Sequence, residues 1–339
     1  MQVLDIDDPR WSAFVQAWPD ASPFHHPRWA GLLAACYGYR PLALALTDRA
    51  GRVTAGLPVL DVGSRFGRRR WVSLPFTDSC PPLVGCDKAE TLADALIDDL
   101  TARRIAVLEL RAGLPPRAGL HTHVAAVEHR LPLTADTAEV ARGFNKMHQR
   151  NLRRAQRSGV QVAYGSSRQD VDDFYRLHLL TRRRLGLPIQ PRRFFDLLEQ
   201  EVLAAGLGFV VTARVGDVPV AAAVFLTWNN MLVYKYGASD TRYWSLRPNH
   251  ALFWSAIRRG CENGYRVLDW GRTDLADRGL REFKSGWGAT ESPLRYTVVA
   301  DQPPGLKPSR LRPAMGVLIR HSSPWVCRAI GELLYRYAA

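Results

Sequence analysis

The sequence predicts a mixed α/β (α+β) protein in which strands and helices alternate along most of the chain. Three observations predict it. From residue 137 to 205 helical periodicity dominates, a three-strand meander follows to 239, and helix and strand then alternate to 300. The first 133 residues run through a comparable succession of helix, hairpin, helix and strand. A length of 339 residues, 47% hydrophobic and 23% charged, describes a globular chain with room for two domains. The turn-rich Thr134–Thr137 sets the expected division into 1–133, 134–300 and a tail over 301–339.

Residues 22–38 read as a helix entered through proline, with Trp29, Leu32, Leu33 and Cys36 at helical spacing. Residues 41–48 and 52–62 form a hairpin, 71–76 a third strand, 88–103 a helix, and 105–111 and 121–133 two more strands. The second half opens with one helix over 137–158, followed by helices over 169–185 and 191–205. Gly216-Asp217 and Asn229-Asn230 are tight-turn dipeptides that join strands 208–215, 218–227 and 231–239. Helix 248–263, strand 266–270, helix 279–287 and strand 294–300 follow. A proline-rich basic loop over 301–313 leads to one or two short amphipathic helices. There Val326, Ile330, Leu333, Leu334 and Tyr337 fall near one face. That face is expected to dock on the domain, although a basic amphipathic tail also suits peripheral contact with a membrane.

The formal net charge is +14, which favours polyanionic partners. Only five of 46 basic residues are lysine, a bias toward arginine that leaves the excess over 32 acids unexplained. Five cysteines without a metal-type pair point to reduced thiols and no metal site. No apolar run approaches the ~20 residues of a membrane span, and the N-terminus lacks a secretory pattern. A cytoplasmic protein is expected, with the tail allowing a peripheral place at the inner membrane face.

Several constellations carry chemistry. On helix 137–158, Arg142, Lys146, Arg150, Arg153 and Arg157 fall within about 80° of arc, opposite Val140, Phe144, Met147 and Ala155. A stripe of one sign repels itself, a cost that an RNA backbone or a pyrophosphate-linked ligand removes. Arg182, Arg183, Arg184, Arg192 and Arg193 crowd around a Gly-Leu-Pro turn, with Phe194 and Phe195 as core anchors. His178, His25 and His26 read as core histidines. Arg247, Asn249 and His250 surround a helix N-terminus opened by Pro248, which suits either an anion or ordinary capping. Asp269 ends an apolar strand, where α/β sheets place their clefts, or else it pairs with Arg272. Lys235 alternates with Tyr234 and Tyr236 and is expected on the opposite, exposed face. Leu280, Phe283 and Trp287 form the expected buried stripe of helix 279–287, with Lys284 one step round at the core edge. Gly286 and Gly288 leave room there for a backbone or a substrate. A cation in that position could stabilise the oxyanion formed when an amine attacks an ester or thioester.

These residues resemble a known family. YGASD (236–240), GYRVLDWGRTD (264–274) and GLREFKSGWGA (279–289), followed by a strand reaching Tyr296, resemble the C-terminal core of the FemABX-type aminoacyl transferases and related bacterial GNAT-fold N-acyltransferases. MHQRNLRRAQRSGVQV (147–162) resembles the family's basic segment, and FHHPRWAGLLAACYGYRPLAL (24–44) its N-terminal half, so the resemblance spans most of 10–300. It implies two tandem GNAT-like domains, 1–133 and 134–300, and transfer of an aminoacyl group from aminoacyl-tRNA to an amine-bearing acceptor, nucleotide- or lipid-linked. No cofactor and no DNA partner are implied. Phe283 and Lys284 match the pair near the reacting carbonyl, with Asp269 and Tyr296 as orienting groups. Lys146, Arg150, Arg153, Arg157, Tyr236, Arg247, Asn249, His250 and Arg272 are the expected substrate and phosphate contacts. The long helical hairpin of some family members has no counterpart, and the acceptor stays open. The glycine signature of standard acyl-CoA enzymes is replaced by SLRPNHALF (245–253). Acyl-CoA is therefore the alternative donor, and a non-catalytic RNA- or membrane-associated module of this fold the third reading.

Overall fold

The computed structural model describes residues 1–65, 68–300, 316–317 and 319–335. Its strands are β1 (Gln2–Asp5), β2 (Arg40–Thr47), β3 (Val53–Arg65), β4 (Arg68–Val72), β5 (Val107–Leu110), β6 (Leu120–Pro132), β7 (Gln161–Gly165), β8 (Gly208–Val215), β9 (Val218–Trp228), β10 (Met231–Ser239), β11 (Val267–Thr273) and β12 (Thr290–Val299). The helices are α1 (Pro9–Ala17), α2 (Pro27–Tyr37), α3 (Ala89–Ala102), α4 (Thr137–Arg142), α5 (Lys146–Arg157), α6 (Arg168–Leu185), α7 (Arg192–Leu197), α8 (Pro248–Glu262), α9 (Arg278–Ser285) and, in the tail, α10 (Pro324–Leu334).

All twelve strands join one sheet in the order β1-β2-β3-β4-β5-β12-β6-β11-β10-β9-β8-β7. Two neighbouring pairs are parallel, β4 with β5 and β10 with β11, and the rest are antiparallel. Read inward from either edge, the two halves repeat the same pattern of four strands, a parallel partner and one antiparallel strand. That last strand is exchanged: β12 lies beside β5, and β6 beside β11. The centre of the sheet is therefore built by both halves of the chain.

Apolar alternation on these strands feeds helices on both faces. One face carries a core running the length of the sheet, with Trp11, Trp29, Leu33, Phe174, Phe194, Phe195 and Ile319 buried in it. On the other face, α3 covers the first half around Leu92 and Leu96, and α8 covers the second around Phe253, Trp270 and Trp287.

The expected helix over 137–158 is two helices. It breaks at residues 143–145 because Asn145 caps α5, its Oδ1 accepting from His148 N at 2.8 Å, while Asn145 N donates to Gly286 O at 2.9 Å. The expected strand over 71–76 ends at Val72, where Leu74 and Phe76 take positive φ angles of 57° and 62° that no ladder accommodates. Residues 22–38 divide into a 3-10 turn (Pro23–His25) and α2. Strand 266–270 extends to Thr273, and strand 294–300 begins at Thr290, where it pairs with Arg130 of β6. The tail helix docks beside α6 through Cys327, Ile330 and Tyr335, but Leu333 is 69% exposed and belongs to the outer face instead. The loop over 301–313, the Leu334 side chain and Tyr337 lie outside the described residues.

Candidate active site at the parting of β10 and β11

The parallel pair β10/β11 holds for three residue pairs, Met231–Val267, Leu232–Leu268 and Val233–Asp269. Beyond them each strand follows its other neighbour. β10 bulges between Tyr234 and Tyr236 to keep pairing with β9, and β11 shifts register between Asp269 and Arg272 to keep pairing with β6. The strands part and leave a wedge at their C-terminal ends, where open α/β sheets place their ligands. A cleft of about 250 Å³ fills it, lined by Tyr234, Gly237 and Ser239 of β10, Trp270 of β11, Asn249 and Phe253 of α8, and Phe283 and Lys284 of α9. Arg184, at the end of α6, stacks 4.9 Å above the Trp244 ring, and both also line the cleft.

The expected stripe of α9 is corrected by one position. Leu280 is 38% exposed and Lys284 only 2%. The reason is the turn of chain beside it. Gly271 takes φ 65°, and Asp269 Oδ1 accepts from Gly271 N at 2.7 Å. Three successive carbonyls then converge on Lys284 Nζ, which donates to Trp270 O at 2.6 Å, Gly271 O at 3.0 Å and Arg272 O at 3.2 Å. Burial lowers the ammonium to about 8 from its ordinary 10.5, against the pull of the Asp78, Asp269 and Asp277 carboxylates. Burial likewise raises Asp269 to about 6, with Arg130 Nε 3.9 Å away. Arg272 pairs with Asp274 at 2.7 Å rather than with Asp269.

Gly286 and Gly288 admit a backbone. A Cβ on Gly286 would lie 2.7 Å from both Asn145 Nδ2 and His148 Cε1, and one on Gly288 would lie 3.0 Å from Gly143 O. The α4–α5 junction thus seats directly on the Phe283–Gly288 segment, and His148 Nε2 contacts Phe283 O at 2.9 Å. This fixes the basic helix to the cleft wall. Lys146, Arg150, Arg153, Arg154 and Arg157 are exposed on α5 and have no ion-pair partner among the described residues. Arg142 stands apart on α4 and pairs with Asp136 at 3.6 Å.

The remaining expected residues divide. Tyr296 is buried on β12, and its hydroxyl donates to Asp78 O at 2.7 Å under the Arg111 guanidinium. Asn249 Nδ2 donates to Ser239 Oγ at 3.5 Å inside the cleft. Arg247 sits at the N-cap of α8 with φ 59° and makes no side-chain capping bond, so ordinary capping does not account for it. His250 is packed against His148, Phe283 and Trp287, with Asn151 Nδ2 3.3 Å from its Nε2, and burial lowers it to about 4. Tyr236 lies outside the cleft, because the bulge turns it to the opposite face among Phe174, Phe194 and Phe195. The same bulge corrects Lys235, which is buried and shares that face with Tyr236. Its Nζ donates to Phe76 O at 2.9 Å and Asp78 Oδ2 at 3.4 Å. Of the second arginine cluster, Arg192 pairs with Asp172 and Asp196, and Arg182 donates to Pro188 O, so these hold the fold. His178, bonded to Gln190 at 3.0 Å, and His25, bonded to Pro81 O at 2.7 Å, are core residues as expected, whereas His26 is half-buried and caps α2, its Nδ1 accepting from Arg28 N at 3.2 Å.

Sequence reasoning missed Asp78, which links Lys235 to Tyr296 beneath the cleft, because the loop FTDSCPP (76–82) carries no pattern of its own. It also missed the Asn145 cap and His148, although an Asn three residues before a His on an apolar position was the available signal. Among the described residues no group of His, Cys, Asp and Glu is arranged to hold a metal ion. No helix among them is long and apolar enough to cross a membrane.

Residues 142–291 match the model of the acetyltransferase (GNAT) domain. No curated protein matches the sequence. Among solved structures, FemX superposes with a TM-score of 0.70 at 15% identity, covering 89% of this chain and 98% of that one. The C-terminal domain of a putative lysylphosphatidylglycerol synthetase from Agrobacterium fabrum gives 0.57 at 13%, covering 93% and 94%. L-PGS from Bacillus licheniformis gives 0.55 at 13%, covering 98% and 99%. The chain therefore has the tandem GNAT-like fold it shares with FemX, and within it residues 142–291 match the GNAT domain.

Proposed function

We propose that the protein is an N-acyltransferase that moves an aminoacyl group from aminoacyl-tRNA to a substrate amine in the β10–β11 cleft. The observation that carries this reading is the seating of the unpaired basic helix α5 on the same Phe283–Gly288 segment that presents Lys284 to the cleft. A phosphate backbone on α5 removes the mutual repulsion of its cations and brings the strand's end to the cleft. Residues 1–133 and 134–300 act as the two repeats, which exchange their final strands.

In the reaction the amine nitrogen attacks the ester carbonyl, a C–N bond forms, negative charge gathers on the carbonyl oxygen, and the C–O bond to the ribose then breaks. The amine proton leaves with the ribose oxygen or to solvent. Lys284 supplies positive charge where that oxyanion forms. Its three hydrogens are already directed at carbonyls, so it acts through its field, and its longest bond, 3.2 Å to Arg272 O, is the one a substrate oxygen would replace. Phe283 closes the cleft wall. Asp269 holds the turn at Gly271 that gathers the carbonyls, and Tyr296 fixes Asp78; both are positioning residues. Arg247 and Asn249 flank the mouth, where donor phosphates would pass.

A second reading is an acyl-CoA-dependent N-acyltransferase, favoured by the match of residues 142–291 to an acetyltransferase domain. Labelled aminoacyl-tRNA and labelled acyl-CoA, each incubated with the protein and a panel of amines, separate the two. Transfer from tRNA that RNase abolishes supports the first reading. Transfer from acyl-CoA alone replaces it with the second. Tight RNA binding without transfer from either donor returns the non-catalytic module.

A further inference from the structure

Twelve large apolar side chains are exposed among the described residues, and five of them belong to one edge of the molecule: Leu185, Leu187, Val317, Trp325 and Leu333. The contacts between their segments make the edge continuous. Arg320 donates to Leu185 O at 3.3 Å, Gly186 lies against Gly316, and Cys327 Sγ donates to Leu187 O at 3.7 Å. Trp325 is 73% exposed and Leu333 69%, although both stand on a helix whose other side is docked. Docking has thus consumed one apolar face of α10 and left a second in water.

The charges around this edge are mainly positive. Arg184, Arg320 and Arg328 are exposed and have no carboxylate partner among the described residues. Glu332 is exposed on the same helix, but its Oε1 accepts from Arg192 N at 2.9 Å and it forms no ion pair with these arginines among the described residues. Exposed tryptophan and leucine ringed by unpaired arginines match the interfacial layer of an anionic bilayer: the apolar groups enter the headgroup boundary and the guanidinium groups meet phosphates. Arg184 also lines the cleft mouth beside Trp244, so the edge runs into the site.

We infer that this edge docks the protein on an anionic lipid surface with the cleft mouth at the headgroup level, so that an amine borne by a membrane lipid can enter it. The lipid-borne acceptor rests on the transferase reading above; the docking does not.

Co-sedimentation of the whole protein with vesicles tests it without any substrate. Binding is expected to phosphatidylcholine vesicles containing phosphatidylglycerol and not to phosphatidylcholine alone. The double substitution Arg320→Glu, Arg328→Glu should weaken it about 30-fold. Trp325→Ser with Leu333→Ser should weaken it about tenfold, and because both side chains already face water the variant should keep the wild-type melting temperature. Brominated acyl chains should quench wild-type fluorescence, and Trp325→Phe should lose most of that quenching. Failure to bind anionic vesicles, equal binding to neutral ones, or full binding by the Ser variant overturns the docking. So does loss of RNA affinity in the Glu variant without any vesicle binding, which reassigns the edge to RNA. If vesicles bind but no donor supports transfer to a vesicle-borne amine, the docking stands and the transferase reading fails.

Discussion

Lys235 and Lys284 are both buried in the second half of the sheet, and both donate to backbone carbonyl oxygens. They differ in what else they meet. Lys235 reaches the Asp78 carboxylate at 3.4 Å and lies within 5.7 Å of the Phe24, Trp29 and Tyr236 ring centres, so its charge is compensated on every side. Lys284 meets only neutral carbonyls within hydrogen-bonding distance, and it lines the cleft. A compensated buried ammonium is a strut between the two halves. One bonded only to carbonyl dipoles, with its nearest carboxylates beyond hydrogen-bonding distance, keeps a field that a developing anion can use. Burial by itself does not separate a structural lysine from a reactive one; its partners do.

Exchange of each lysine for methionine gives the largest contrast. Lys284→Met should lower turnover by about 100-fold or more while costing about 1–3 kcal/mol of stability for the carbonyls left unpaired. Lys235→Met should do the reverse. It strands the Asp78 carboxylate and costs about 3–5 kcal/mol, with turnover per folded molecule within about threefold of wild type. Denaturant melts and active-site-normalised rates read both, and equal effects of the two substitutions would erase the distinction.

The pH dependence sharpens it. Lys284 is lowered to about 8 in the folded chain against 10.5 ordinarily. Between those values the unfolded chain holds the proton and the folded one does not, so this group's contribution to stability rises with pH from about 8 to 10.5. A reaction that uses the ammonium should instead slow as pH passes about 8. Lys284→Met should lose both slopes, and Lys235→Met should keep both.

Two smaller effects concern what surrounds Lys284. Arg150→Glu with Arg153→Glu should weaken tRNA binding at least about tenfold and reduce the salt slope by about two, as seen in filter binding across a salt series. The matching change at Arg192, which is ion-paired to Asp172 and Asp196, should lower stability and leave the salt slope unchanged. Gly286→Ala forces a Cβ against Asn145 and His148 and should cost about 1–3 kcal/mol by denaturant melting.

The alternating pattern, the tight turns and the helix starts were legible as local signals, so the strand and helix order was readable to within a few residues. The resemblance reached the GNAT fold because the Phe283–Gly288 run and the Asp269–Asp274 turn are compact and chemically unusual. What the sequence could not show depends on bulges and distant loops. The bulge at Tyr234–Tyr236 reverses the face of Lys235 and Tyr236, and no residue type announces it. Asp78 reaches Lys235 across 157 positions. Lys284 looked like an edge residue because helical spacing counts apolar neighbours and cannot see three carbonyls arriving from β11.

The central claim is that the Lys284 ammonium drives acyl transfer in the β10–β11 cleft, and a single-turnover measurement tests it most directly. Prebound labelled aminoacyl-tRNA is mixed with saturating amine, and amide formation is followed in wild type and Lys284→Met. The account predicts a fall of about 100-fold or more in the chemical step with tRNA affinity unchanged. A rate within about threefold of wild type, with donor bound, would contradict it.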